Sequence, residues 1–354
     1  MKPREMPITH GTPSTIAHLE PSPADARELL AVVKGAMNSH KAPDAPEFLE
    51  AAPLLAADLP ASIRKFLAGR GSPHDTSCAF ILSLPSAIPT SLPATPSTWS
   101  AATELPPDAT GGSAFALVLL SFLLGEPFAW LTQQDANLLH TVVPIKGHEK
   151  EQLGSGSLVP LSWHTEDAFH PYRADYIALV CLRNPDQVAT TVASVQDLPI
   201  DAHLWQVLSR PYFEILPDFS HRPAFNTDSA SDGEAFNYID ALLKKPQRTP
   251  ILFGDEASPY LRIDKDFSRT APDAPLDATE ALAAISQAIE VAQQDVVLQP
   301  GDFLFLDNYL CVHGRRPFTA RYDGTDRWLQ RINISRDLRP ARIAGACSRE
   351  NVMT

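Results

Sequence analysis

From Thr141 to Asp337 the chain breaks into short apolar runs separated by turn residues: LVPLSWH, YIALVCLRN, ATTVASV, YFEIL, PILFG, PYLRID, DVVLQPGDFLFLD and LQRINISRD. Each is too short for a stable helix and rich in β-branched and aromatic residues, which fit a pleated surface. Many short strands at this spacing predict an antiparallel sandwich or barrel. Two helical patterns interrupt them, GEAFNYIDALLKK and DATEALAAISQAIEVAQQ, and Pro300-Gly301-Asp302 reads as a turn feeding the buried strand FLFLDN.

Upstream the texture is helical and then proline-rich. Ser22 stands where it would cap a helix running through ADARELLAVVKGAM, and further helices are expected in PEFLEAAPLLAADL and PASIRKFLAGRG. Residues 83–108 carry many prolines and no period, which predicts a loop or extended segment without helix. A long helix is expected from Gly112 to Leu124, stopped near Gly125-Glu126-Pro127. The chain, 1–354, therefore reads as a single domain, with a helical and proline-rich part to about residue 140 beside a β-rich core over about 141–340.

The net charge of -13 argues against nucleic acid or an anionic membrane surface as partner, since both call for basic patches. The longest apolar run, Phe115 to Leu124, is interrupted by a serine and is about half a membrane span. The N-terminus, MKPREMPITHGTPST, has no apolar signal core. Cys78, Cys181, Cys311 and Cys347 lie far apart without CxxC spacing, which predicts reduced thiols and a cytoplasmic location.

The chemistry concentrates in LSWHTEDAFHPYRADY. Side chains alternate across a strand, so His164 and Glu166 are expected on one face. Such a pair serves as a surface ion pair, a general-base arrangement or two ligands of a metal. His313, in DNYLCVHGRRPF, offers a third ligand. Two imidazoles and one carboxylate form the set used for non-haem Fe(II) with open positions, which leaves room for a chelating 2-oxo acid and for O2. Zinc would also bind this set. Arg327 and Arg331 lie on or near the final strand, and a guanidinium offers a two-pronged fork for a carboxylate; Arg315 and Arg316 compete for that role.

WHTEDAFHPYRADY, DNYLCVHGRRPF and RWLQRINISRD together resemble the clavaminate synthase-like group of Fe(II)/2-oxoglutarate oxygenases, above all its L-arginine β-hydroxylases, over about Gly125 to Asp337. The resemblance implies a double-stranded β-helix (jelly-roll) core with flanking helices. It implies His164, Glu166 and His313 as iron ligands and Arg327 as the anchor of the distal carboxylate of 2-oxoglutarate. Thr191 would assist Arg327, with Thr190 nearly as good. Arg331 would hold the α-carboxylate of a free amino acid, Gln133 and the second oxygen of Glu166 its α-amine, and Ser155 in LGSGS would contact it.

Asp218, in LPDFS, occupies a substrate position of the family. Asp264 and Asp266, two apart in PYLRIDKDF, share a face if that segment is extended. Three carboxylates suit a cationic side chain, with L-arginine hydroxylated at C3 as the first expectation. Enduracididine, lysine and ornithine, desaturation in place of hydroxylation, and a non-catalytic metal-binding jelly roll stand as the other readings. The presence of Glu166 argues against halogenation, for which the related halogenases carry a small residue there.

Overall fold

Most of the strand runs fold into two sheets that share a core, while YFEIL contributes Phe213–Ile215 to a three-stranded sheet and PILFG and PYLRID form the two-stranded pair Leu252–Asp255 and Ser258–Leu261. The computed structural model describes residues 16–69, 77–226 and 233–354. The larger sheet has eight strands. At its centre Tyr176–Arg183 pairs antiparallel with Asp302–Asp307 on one side and Trp328–Ser335 on the other. Ala79–Ser83 and Ala17–Leu19 extend the first side, and Glu126–Trp130, His140–Val142 and Val352–Met353 the second. The smaller sheet has the order Gln294–Val296, Thr190–Ser194, Cys311–Arg315, Leu161–His164, all antiparallel. This is the jelly-roll core with flanking helices that the sequence leads one to expect.

Burial explains the apolar run YIALVCL. Ile177, Leu179 and Cys181 join the core shared with the small sheet, while Tyr176, Ala178, Val180 and Leu182 face a second core under the N-terminal helices. A strand covered on both faces reads as continuously hydrophobic. The second core takes Leu29, Val33 and Ala36 from the helix Pro23–Ser39, Phe48, Ala52 and Ala56 from Pro46–Ala57, and Ile63 and Leu67 from Ala61–Ala68. Ser22 caps the first helix, accepting from the Asp25 amide at 3.1 Å.

Three expectations change. The helix expected over Gly112–Leu124 spans only Ser113–Ser121, buried along its whole length. Its end tightens into i−3 bonds, from the Leu123 amide to Leu120 O and from Leu124 to Ser121 O, before the chain turns at Gly125. A Cβ on Gly125 would stand 2.3 Å from Ser335 O, so only glycine fits there. Within the proline-rich segment a short helix, Trp99–Thr103, forms in the proline-free stretch between Pro96 and Pro106, with Thr98 Oγ1 accepting from Ala101 N at 3.0 Å. Finally, three strands of the large sheet lie upstream of Thr141 and a fourth, His140–Val142, spans it, each too short to carry a visible period.

The helices Gly233–Lys244 and Leu276–Ala292 form where the sequence places them. All four cysteines are buried and none is in a disulfide. Among the described residues no helix is long and apolar enough to cross a membrane.

Candidate active site

His164 ends the small-sheet strand Leu161–His164, and His313 is its register partner on Cys311–Arg315. The His164 ring is set by Nδ1, 2.8 Å from Ser162 O, which leaves Nε2 toward the cavity. Glu166 does not reach this face by strand alternation, because the strand has already ended. Asn308 holds it instead: Asn308 Oδ1 accepts from the Glu166 amide at 2.7 Å, and Asn308 Nδ2 donates to Glu166 O at 3.0 Å. Asn308 is a functional residue that sequence reasoning missed, although it directly follows the strand Asp302–Asp307.

Glu166 Oε2 then lies 3.3 Å from His313 Nε2 and 3.7 Å from His164 Nε2, buried and without a hydrogen-bond partner. The ligand atoms of the three side chains lie within 4.8 Å of one another. Burial would raise the Glu166 carboxyl, but Arg331 and the two imidazoles hold it well below the usual range. Burial opposes a charge on His164 as well, yet Glu166 prevails and pushes it up to about 9. An orphaned buried carboxylate oxygen facing two imidazole nitrogens fits a divalent cation.

Arg331, on Trp328–Ser335, donates through Nη1 to Glu166 Oε1 and through Nη2 to Gln133 Oε1 at 3.1 Å and His140 Nδ1 at 2.8 Å. His140 is its register partner across the sheet and was not singled out by the sequence. Its imidazole is held well below its ordinary range by burial and by Arg331.

Arg327 lines the same cavity, 7% exposed, with Nη2 on Thr190 Oγ1 at 3.3 Å and Nε without a partner. Burial lowers it to about 10. The hydroxyl at Arg327 is therefore that of Thr190. Thr191, the first choice from sequence, pairs with Gly314 and is not part of the cavity wall, since neighbouring residues on a strand face opposite ways. Of the competing arginines, Arg315 also lines the cavity, but its guanidinium is taken up by backbone carbonyls. Arg315 donates to the carbonyls of Ser157, Val159 and Arg316, and Arg316 forms a surface pair with Asp295.

Asp218, Asp264 and Asp266 line the cavity together with His164, Glu166 and His313. The segment carrying Asp264 and Asp266 is a turn rather than extended: Asp264 Oδ1 accepts from the amides of Asp266 at 2.8 Å and Phe267 at 3.0 Å. Burial pushes Asp264 up to about 6. Ser155 and Gln133 line an adjoining cavity that shares Arg331, Leu153 and Gly154 with the first, and Ser155 Oγ bonds His148 Nδ1 at 2.9 Å.

The sequence profile of the taurine catabolism dioxygenase TauD, TfdA family matches residues 132–333. The chain belongs to this family. The matched segment contains every side chain just described. Among relatives of this TauD-type chain, the enduracididine beta-hydroxylase of Streptomyces hygroscopicus is 47% identical over 236 residues, covering 65% of this chain and 69% of the relative. The L-ornithine/L-arginine 3-hydroxylase of Catenulispora acidiphila is 45% identical over 232 residues, covering 64% and 67%. The non-heme iron oxygenase OrfP, solved with Fe, succinate and (3S)-hydroxy-L-Arg, superposes with a TM-score of 0.88 at 37% identity, covering 95% of this chain and 99% of that one. OrfP with Fe and alpha-ketoglutaric acid superposes with a TM-score of 0.82 at 34% identity. The protein is thus an Fe(II)- and 2-oxoglutarate-dependent dioxygenase that uses O2 as co-substrate.

Proposed function

We propose that this dioxygenase hydroxylates a free cationic amino acid, L-arginine at C3, giving 3-hydroxyarginine, succinate and CO2. One observation carries the reading: a single cavity brings the His164, Glu166 and His313 cluster together with the Arg331 guanidinium and three aspartate carboxylates. An amino acid with a cationic side chain has the matching charges at its two ends. The names of the two hydroxylase relatives and of the OrfP complex point to the same substrate class. We read the whole chain as one oxygenase domain, because the large sheet is shared by both hydrophobic cores.

His164, Glu166 and His313 would hold Fe(II), which when bound supplies the O2-dependent oxidation chemistry of the family. Arg327, with Thr190 beside it, would take the distal carboxylate of 2-oxoglutarate through charge-assisted bonds. Arg331 would pair with the substrate α-carboxylate, while Gln133 and Glu166 Oε1 accept from its α-ammonium group. Asp218, Asp264 and Asp266 would accept from the guanidinium. Gripping both ends decides which carbon stands nearest the metal position and holds the substrate still there. Enduracididine is the second reading, since its cyclic guanidine would meet the same three acids and a relative is named for it.

The test is succinate release by protein loaded anaerobically with Fe(II) and 2-oxoglutarate and then given O2, across L-arginine, enduracididine, lysine and ornithine, with product masses read in parallel. Arginine-stimulated succinate with a product heavier by one oxygen is the expected result. Stimulation by another amino acid alone moves the substrate, and none with any of them overturns the reading.

A further inference from the structure

Behind the site stands a buried polar cluster that the proposed chemistry does not use. Asp167 directly follows Glu166 and is not part of the cavity wall. Its Oδ2 accepts from Trp130 Nε1 at 2.5 Å, and its Oδ1 accepts from His221 Nε2 at 2.9 Å and Gln133 Nε2 at 3.2 Å. The other nitrogen of His221, Nδ1, meets Thr132 Oγ1 at 2.7 Å. His221 and Thr132 are fully buried and Asp167 nearly so. Trp130 and Phe169 pack edge-on against the imidazole.

A buried ion pair adds little stability over apolar residues of the same size, because desolvation offsets its attraction. What it does supply is a defined geometry, and the neighbours show of what. His221 closes the short turn Phe219–His221, and Asp218 and Ser220 of the same segment line the cavity. Gln133 Nε2 donates to Ser220 Oγ at 2.6 Å, and Ser220 Oγ donates to Asp218 Oδ1 at 2.6 Å. Gln133 Oε1 in turn accepts from Arg331. A continuous hydrogen-bonded chain therefore joins Arg331 to Asp218, both in the cavity wall, with Asp167 and His221 as its buried anchor.

The backbone gives a second, independent sign. Gln134, Asp135 and Ala136 all have left-handed backbone (φ 44°, 55° and 60°), and so does Asp167 (φ 49°). Such strain in non-glycine residues persists only where the surroundings over-determine it, and it gathers where side-chain placement matters. Here it directly follows Gln133 and Glu166.

We infer that the Asp167–His221 pair is a positioning device for amino-acid selection: it sets the distance between the Arg331–Gln133 end and the Asp218 end, and so the length of substrate accepted and the carbon presented. This rests on the function proposed above. His221 and Asp167 touch no substrate in this scheme; they act through Gln133, Ser220 and Asp218.

The test compares wild type with His221→Phe, which keeps the aromatic packing and removes the polar contacts of the imidazole with Asp167, Thr132 and Gln133. The readouts are bound iron, KM for 2-oxoglutarate, KM for L-arginine, the ratio of hydroxylated product to succinate, and discrimination between L-arginine and L-homoarginine, one methylene longer. Iron content and the 2-oxoglutarate KM are expected to stay within about twofold. The arginine KM should rise about tenfold, the product-to-succinate ratio should fall, and the preference between the two lengths should narrow. Unchanged arginine KM, coupling and discrimination in the folded variant would overturn the inference.

Should His221→Phe not fold, Thr132→Val, which removes one partner of the imidazole, is judged by the same criteria. If wild type prefers another amino acid, the pair compared is that substrate and its one-carbon homologue. A wild type without any amino-acid-stimulated succinate overturns the proposed function; an active wild type with an unaltered variant overturns the role of the pair alone.

Discussion

His164 and His313 are direct register partners across two antiparallel strands, with their ring centroids 4.5 Å apart. Side chains directly opposite on one face have Cβ atoms about 4.5–5.5 Å apart, close enough for both imidazoles to reach one ion. Glu166 completes the cluster from the loop beyond His164, held there by Asn308. Ligand placement thus depends on one strand pairing and one side chain that is not itself a ligand.

That arrangement separates two kinds of variant. His164→Ala and His313→Ala should lose stoichiometric Fe(II) and all succinate production. Asn308→Ala should weaken iron by about 10–100-fold, the usual effect of a residue that orients a ligand. Anaerobic metal titration measures all three. Wild-type iron affinity in Asn308→Ala would show that Glu166 is placed without it.

At the co-substrate end, Arg327→Ala should raise the KM for 2-oxoglutarate by about 30-fold or more, corresponding to about 2 kcal/mol for a charged hydrogen-bonded contact. The amino-acid KM should move little. Thr190→Val should raise the 2-oxoglutarate KM a few-fold and Thr191→Val should not. The reverse order would place Thr191 at the co-substrate.

Asp266→Ala and Asp264→Asn should each cost about tenfold or more in arginine affinity, as expected for loss of a charge-assisted bond. Iron content and the 2-oxoglutarate KM should hold. Arginine bound equally well by both variants, measured by calorimetry on protein carrying Fe(II) and 2-oxoglutarate under anaerobic conditions, would remove the basis for guanidinium recognition.

Stability should fall in acid because of His170. It is 1% exposed, with Nδ1 accepting from the Tyr172 amide at 3.1 Å and Nε2 unpartnered among the rings of Trp130, Phe169, Tyr172 and Tyr238. Burial first, then the nearby charges of His221 and Arg262, push its pKa down to about 3. The unfolded chain takes up this proton below about pH 6.5 and the folded chain does not, so stability is lost as pH falls from 6.5 toward 3, at about 1.4 kcal/mol per unit. Between about pH 6.5 and pH 5, wild type should lose about 2 kcal/mol more than His170→Gln in urea unfolding. Parallel losses would show that His170 is not the group responsible.

Much of this is legible in the sequence because it is local. The short β-rich runs, the Ser22 cap, and the His-x-Glu, His-Gly-Arg and paired-arginine motifs lie within segments whose residue types carry their own meaning. They are enough to select the fold class and to name the residues that meet in the cavity. Strand alternation, by contrast, gives a wrong cause for the placement of Glu166, since the strand stops at His164. Reading Asp264 and Asp266 as an extended pair fails because Asp264 caps a turn.

By itself, then, the sequence determined the antiparallel β class, with the jelly roll implied by the family resemblance, and the chemical types gathered at the site. Only the tertiary structure decided that Thr190 rather than Thr191 meets Arg327, that Asn308 places Glu166, that His140 backs Arg331, and that Asp167 and His221 anchor the wall of the substrate cavity. Each of these is a contact between segments distant in the chain. Periodicity and propensity describe a segment alone, whereas such contacts follow from strand register and from the need of every buried polar group to find a partner.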